Sequence, residues 1–158
     1  MSRYTDPSRE SRGTVLVASD SPAFVDIVGE MVTDCGFELA TPTEAERPWL
    51  SVMRTQPTLV ICDCGGPEPH VKRLIAEVAA RRLPLLIAGT AQEQDVARTW
   101  HLPERAAWLE FPIARNRFHA TIDDLLMLGG GLRRQAILHG AGVTIEAAIT
   151  TGALNETP

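Results

Sequence analysis

The residues TVLVASDSP at positions 14–22 join a strand pattern directly to the start of a helix. The first five residues are a short apolar run, which is typical of a strand covered on both faces. Ser21 is a favourable N-cap residue, and Pro22 suits the first helical position, where a missing backbone N–H is harmless. The stretch therefore predicts a buried strand that ends at Ser19 and Asp20 and is followed at once by a helix.

Strand and helix patterns alternate from this stretch as far as about residue 128. The further strand patterns are 37–40, 58–63, 84–88 and 106–109, and the helical patterns are 22–35, 43–55, 71–78, 93–100 and 118–126. Within 43–55, Pro48 marks the start or first turn of the helix. Such alternation implies a parallel sheet with right-handed crossovers. We predict an α/β fold with a doubly wound, five-stranded parallel sheet in the flavodoxin-like order 2-1-3-4-5.

The two ends of the chain differ from this central part. Residues 1–13 are polar and turn-prone without periodicity, which predicts a disordered tail. The glycines at 129–131 break the pattern, and two short helical patterns follow them. We predict one domain at 14–128, and a Gly-rich linker with a short helical tail at 129–158.

Composition limits the partners and the compartment. The net charge of −5 gives no broad attraction to nucleic acid or anionic lipid. The apolar runs are much shorter than a membrane span, and the first thirteen residues lack the apolar segment of a signal peptide. Three cysteines, an odd number, fit a reducing compartment better than a disulfide framework. We expect a cytoplasmic protein that binds neither nucleic acid nor membrane.

Two aspartates end neighbouring strands of the predicted sheet. Asp20 follows the first strand and Asp63 ends the third. Neighbouring strands lie about 4.8 Å apart, so the two carboxylates are expected to share one pocket. A hard divalent cation would relieve their repulsion, and Mg²⁺ accepts few protein oxygens while keeping several waters. The pattern predicts a weak Mg²⁺ site formed by Asp20, Asp63 and the carbonyl of Gly65, or alternatively two acidic strand ends that face solvent.

Four stretches in this order resemble the receiver domain of bacterial response regulators. They are VLVASDSP at 15–22, TLVICD at 58–63, PLLIAGT at 84–90 and WLEFP at 108–112. The resemblance covers residues 14–128. It implies a domain that accepts a phosphoryl group from a histidine kinase on Asp63. It also implies that Asp20 is one of the paired acidic metal ligands, and that Gly65 lends a carbonyl.

The chain departs from this family at several of its functional positions. Ser19 stands where the first acidic residue of the pair is expected. The hydroxyl residue after the fourth strand falls on Gly89, with Thr90 one position late. Phe111 replaces the lysine that precedes a cis-proline, and the only lysine of the chain, Lys72, lies on the third helix. The resemblance therefore implies a site with only part of its chemistry.

The resulting hypothesis is a degenerate receiver, not an enzyme, that acts as a protein-interaction module in a two-component-type pathway. Its partner would be a histidine kinase or another signalling protein. The resemblance makes Trp108 the switch aromatic, with Thr90 and Phe111 at the other switch positions. It also suggests a homodimer through the face of helix 4, strand 5 and helix 5, with Trp100, Arg115 and Arg117 on that side.

Two alternatives remain at this point. The first is a working phosphoacceptor that is modified on Asp63. The second is a small flavodoxin-like enzyme or nucleotide binder, which the sequence disfavours because it has no Gly-x-Gly-x-x-Gly after the first strand, no phosphate loop and no Gly-x-Ser-x-Gly elbow. Cys62 and Cys64 with His70 match no standard zinc spacing, and we expect Cys62 in the core.

Overall fold

The computed structural model describes residues 10–127, which form five strands and five helices in alternation. The strands are β1 (Thr14–Ala18), β2 (Glu38–Ala40), β3 (Leu59–Asp63), β4 (Leu85–Gly89) and β5 (Ala106–Glu110). The helices are α1 (Pro22–Asp34), α2 (Pro48–Thr55), α3 (Glu68–Ala80), α4 (Ala91–Ala97) and α5 (Arg115–Met127).

The strands form one parallel sheet in the order β2-β1-β3-β4-β5, which confirms the predicted fold class and strand order. The register pairs Ala18 with Cys62, Asp63 with Ala88, and Gly89 with Glu110. The carboxyl ends of β1, β3, β4 and β5 therefore meet along one edge of the sheet. The residues that follow these strands are brought together there.

Side-chain alternation along the strands divides the core between the two faces of the sheet. One buried cluster packs β1, β3, β4 and β5 against α1 and α5, and includes Phe24 and Phe118. The other packs the opposite face against α2 and α3, and includes Cys62. Each fully buried Leu, Ile, Val or Phe side chain contributes about 1.5–3 kcal/mol through removal of apolar surface from water. Cys62 is in the core, as predicted.

Helix starts follow the local sequence signals closely at α1 and α2. Ser21 is the N-cap of α1, with its side chain accepting from the backbone N–H of Phe24, and Pro48 is the first residue of α2. At α4 the prediction of 93–100 was two to three residues late, because Thr90 is the N-cap and Glu93 lies inside the first turn. Thr90 and Glu93 form a reciprocal capping box, the pattern that fixes a helix start.

The packed region extends to Arg12, on the N-terminal side of β1. Its backbone N–H donates to Gly36 O at 3.0 Å, and its guanidinium donates to Cys35 O at 3.1 Å. The same guanidinium pairs with Asp123 and lies over the Phe37 ring. Residues 1–9 of the predicted N-terminal tail, and the predicted linker and helical tail at 129–158, lie outside the described residues. None of the helices between residues 10 and 127 has the length and apolar character needed to cross a membrane.

Candidate phosphoacceptor site

Asp63 and Asp20 lie on one cavity at the carboxyl edge of the sheet. The cavity has a volume of about 620 Å³, and both carboxylate residues line it together with Ser19 and Gly66. Asp63, the last residue of β3, is half-buried, whereas Asp20, in the loop after β1, is exposed. The parallel β1–β3 pairing thus places the two predicted acidic residues in the same pocket.

Ser19 holds the Asp63 carboxylate directly. Its hydroxyl donates to Asp63 Oδ2 at 2.9 Å, and the Ser21 N–H donates to the same Ser19 oxygen at 3.0 Å. The hydroxyl therefore orients Asp63 and is itself oriented by the start of α1. In place of a carboxylate, Ser19 supplies one neutral hydrogen bond and no negative charge.

The pKa of Asp63 is raised above its usual value. Burial is the largest cause, and the negative charge of Glu93 acts in the same direction. The Ser19 hydroxyl and the backbone N–H groups of Asp63 and Gly65 oppose the rise, because hydrogen bonds to the ionised carboxylate stabilise it. Within the described residues, these hydrogen bonds therefore offset only part of the cost of burying the Asp63 carboxylate.

The loop after β3 passes close to both carboxylates because it has two glycines. A Cβ on Gly65 would lie 3.3 Å from Asp63 Oδ2, and a Cβ on Gly66 would lie 3.1 Å from Asp20 Oδ2. Two carboxylates and a nearby backbone are oxygen donors of the kind that suit Mg²⁺ with retained waters. Between residues 10 and 127, no three His, Cys, Asp or Glu side chains are grouped as a metal site would need. The donor set fits a weakly held Mg²⁺, for which Asp20, Asp63 and the Gly65 carbonyl are the candidate ligands.

The end of β4 has no side chain at Gly89, and two neighbours fill the space. A Cβ on Gly89 would lie 2.8 Å from Glu93 Oε1 and 3.1 and 3.2 Å from two ring carbons of Trp108. Thr90 is exposed, and its hydroxyl accepts from the Glu93 N–H at 3.2 Å as the N-cap of α4. Neither residue presents a hydroxyl to Asp63: Gly89 lacks one, and that of Thr90 is engaged at the helix start.

Trp108 lies in β5, and Phe111 directly follows the strand. Trp108 is partly buried against the α2–α3 side of the core, and its Nε1 is buried without a hydrogen-bond partner in the described part of the chain. Phe111 is 40% exposed, and its ring meets that of Phe24 edge to face at 5.9 Å. The Phe111–Pro112 peptide bond is cis. An aromatic ring, with no donor, therefore stands at the position where the resemblance expects lysine.

The cations considered from the sequence lie elsewhere. Lys72 pairs with Glu68 at 3.9 Å and lies 5.9 Å from the ring centroid of Trp100. Arg115 pairs with Asp34 and, at 3.5 Å, with Glu30, both on α1. Lys72 is thus held on the α3 side and Arg115 on the α1 side. Neither forms an ion pair with Asp63 in residues 10–127.

Glu93 and Arg47 are among the polar residues of this edge that were not identified from the sequence. Glu93 reaches back over Gly89, and Arg47 lines the cavity from the start of α2. The spacing Thr90-x-x-Glu93 is the signature of a capping box, and it would have indicated that the Glu93 side chain folds back to the Thr90 N–H. No comparable local signal marks Arg47, because its position depends on how the β2–α2 loop crosses the sheet edge.

Solved structures with a similar fold include receiver domains of response regulators. A response regulator receiver domain from Clostridium thermocellum is 17% identical with a TM-score of 0.58, over 75% of this chain and 98% of that one. The chemotaxis protein CheY4 of Vibrio cholerae is 20% identical with a TM-score of 0.56, over 72% of this chain and 98% of that one. The anti-anti-sigma factor PhyR of Bartonella quintana is 16% identical with a TM-score of 0.61, over 82% of this chain and 53% of that one.

These similarities establish the fold: residues 10–127 adopt the receiver-domain architecture of response regulators. No family model matches the chain, and no curated protein matches it. The activity therefore has to be argued from the residues of the site.

Proposed function

We propose that this chain is a degenerate receiver domain that acts as a non-enzymatic protein-interaction module in a cytoplasmic two-component-type pathway. Asp63 occupies the acceptor position, and a histidine kinase or another signalling protein is the proposed partner. The observation that carries the proposal is the packing of Trp108 against Gly89. The ring already fills the place of a side chain at position 89.

The proposal follows from what a phosphoryl group on Asp63 would gain. A working switch needs contacts that differ between two states, because a ligand shifts an equilibrium only by its differential affinity. Phe111 offers no charge-assisted hydrogen bond, an interaction worth about 1.5–3 kcal/mol. Gly89 offers no hydroxyl, and Trp108 has no empty space beside Gly89 to enter. A phosphoryl group on Asp63 would therefore favour neither state strongly, and it would not move Trp108.

The test is the response of Trp108 to beryllofluoride, a phosphoryl mimic, in the presence of Mg²⁺. Trp49→Phe and Trp100→Phe remove the other two indoles, and the emission of Trp108 is then followed during titration. We expect no saturable change in emission. A saturable change that disappears in Asp63→Ala would show that the switch survives and would refute the proposal.

A working phosphoacceptor is the second candidate, and the Ser19 hydrogen bond to Asp63 favours it. That bond orients a half-buried carboxylate in an accessible cavity, as a nucleophile requires. Incubation with Mg²⁺ and acetyl phosphate would transfer the phosphoryl group to an Asp63 oxygen with acetate as the leaving group. A phosphoryl mass adduct in the wild type, absent from Asp63→Ala, supports this candidate. It is compatible with the first proposal only if Trp108 does not respond.

We also propose self-association through the face formed by α4, β5 and α5. Arg115 is unsuited to the rim of this face, since its guanidinium pairs with α1, and Trp100 lies near Lys72 of α3. Val96 of α4 is 50% exposed and offers an apolar contact there. Light scattering at micromolar concentration should show a dimer that Val96→Asp weakens. A single species at 17.2 kDa would exclude the dimer.

A further inference from the structure

Glu93 places a further carboxylate at the edge that carries Asp63. Its Oε1 accepts from the Thr90 N–H at 2.9 Å, and the same oxygen would lie 2.8 Å from a Cβ on Gly89. Gly89 follows Ala88, the residue that pairs with Asp63 across the β3–β4 ladder. The carboxylate is therefore held over the end of β4, beside the strand that carries the acceptor residue.

The capping box makes this position rigid for a glutamate side chain. Glu93 makes two hydrogen bonds with Thr90. Its backbone N–H donates to the Thr90 hydroxyl, and its carboxylate accepts from the Thr90 N–H. The Trp108 ring closes the same space from the β5 side. Glu93 is thus a fixed group and not a freely rotating surface side chain.

The charge of Glu93 reaches two neighbours on β3 and its loop. Asp63 and Cys64 both lie within its electrostatic reach, because Gly89, over which the carboxylate lies, directly follows the β4 partner of Asp63. Lys72 and Arg115 are paired on other helices, and Arg47 lines the Asp63 cavity from the start of α2, whereas the Glu93 carboxylate lies over the end of β4. A further anion beside Asp63 would face this charge in a partly desolvated environment, where repulsion is stronger than in bulk water.

We infer that Glu93 is a built-in blocking group, whose fixed negative charge opposes the binding of a phosphoryl-like anion at Asp63. This inference rests on the proposed assignment of Asp63 to the acceptor position. It adds an active obstacle to the missing lysine and hydroxyl. Glu93 acts as a specificity-determining residue of the site through its charge and position, and it takes no part in a chemical step.

Glu93→Gln is the informative variant because glutamine also serves at this position of a capping box. The carbonyl oxygen of the amide can accept from the Thr90 N–H, so the start of α4 is retained while the charge is removed. Asp95→Asn is the matched control. It removes one negative charge from the same helix, at an exposed side chain that pairs with Arg98.

The experiment measures binding of beryllofluoride with Mg²⁺ by fluorine NMR, in the wild type, Glu93→Gln, Asp95→Asn and Asp63→Ala. We expect Glu93→Gln to strengthen binding by about tenfold or more at low salt. The gain should shrink at high salt, because screening weakens a charge effect but not a packing effect. Asp95→Asn should bind as the wild type does, and Asp63→Ala should not bind.

Three results would overturn the inference. They are equal binding by the wild type and Glu93→Gln, an equal gain in Asp95→Asn, and no binding by Glu93→Gln under conditions in which circular dichroism shows it folded. None of these results tests the proposed function. The proposed function is refuted by a different measurement, a saturable change in Trp108 emission when the site is unaltered. The two proposals can therefore fail separately.

Discussion

Gly89→Ala tests the packing that closes the β4–β5 edge. Gly89 is buried, and a Cβ at this position would approach two Trp108 ring carbons to 3.1 and 3.2 Å. Glu93 Oε1 would be nearer still, at 2.8 Å, and can give way only by loosening its hydrogen bond to the Thr90 N–H. The Trp108 ring is rigid and partly buried, so the backbone or the ring must shift.

The expected cost combines two opposing effects. Overpacking by one methyl group costs about 1–3 kcal/mol. Replacing glycine by alanine in an ordinary backbone conformation returns about 0.4–1 kcal/mol, because the unfolded chain loses freedom. The net loss in the free energy of unfolding should therefore be roughly 0.5–2 kcal/mol, or a fall in Tm of about 2–8 °C for a domain of this size.

The assay is urea unfolding of the wild type, Gly89→Ala, Trp108→Leu and the double variant. Shortening Trp108 relieves the contact, so Gly89→Ala should cost less in the Trp108→Leu background. The coupling between neighbours that share a space is typically about 0.5–3 kcal/mol. If Gly89→Ala costs the same in both backgrounds, Trp108 does not fill the space at Gly89. The structural basis for a fixed switch residue would then be lost.

Two further predictions concern the acidic pair. Ser19→Asp should strengthen Mg²⁺ binding by about tenfold or more in calorimetry, because it adds a negative charge beside Asp63; Ser19→Asn is the neutral control, and an equal gain in both variants would contradict a charge effect. Asp63→Asn should stabilise the fold at pH 7, because the pKa of Asp63 is raised in the folded state and the ionised carboxylate costs stability above that pKa. The destabilisation by ionised Asp63 disappears as the pH falls below the pKa of Asp63 in the folded state and then below its pKa in the unfolded state. The stabilisation by Asp63→Asn should therefore shrink between pH 7 and about pH 4. A constant difference in urea midpoint across this range would contradict the raised pKa, and Asp95→Asn serves as an exposed control.

The sequence was sufficient to predict the fold because its strands are short apolar runs separated by clear helix signals. Continuous runs such as 15–18 and 59–62 cannot alternate polar and apolar residues, so they required a sheet covered on both faces. The start of α2 at Pro48 followed from a single residue. At α4 the apolar pattern was weak, and the capping box determined the helix start instead.

The site was predictable only as far as the backbone determines it. Strand order brought Asp20 and Asp63 to one cavity, and the register placed Gly89 one residue beyond Ala88, the β4 partner of Asp63. The hydrogen bond from Ser19 to Asp63 depends on a side-chain rotamer, which no spacing specifies. Arg115 illustrates the same limit, because a long side chain at the start of α5 can reach α1 as readily as β5, and acidic residues on α1 decided between them.

The residues at the β4–β5 edge that differ from the receiver pattern depend on one another through contacts and charge. Gly89 leaves a space, and Trp108 and Glu93 fill it from opposite sides. Phe111 packs its ring on Phe24 at the end of the same strand as Trp108. A hydroxyl side chain introduced at position 89 alone would meet the Trp108 ring. A lysine introduced at position 111 alone would leave Glu93 opposing the anion. Because each residue occupies space or carries charge that suits the others, a single substitution should change affinity or stability without restoring a coupled movement of Trp108.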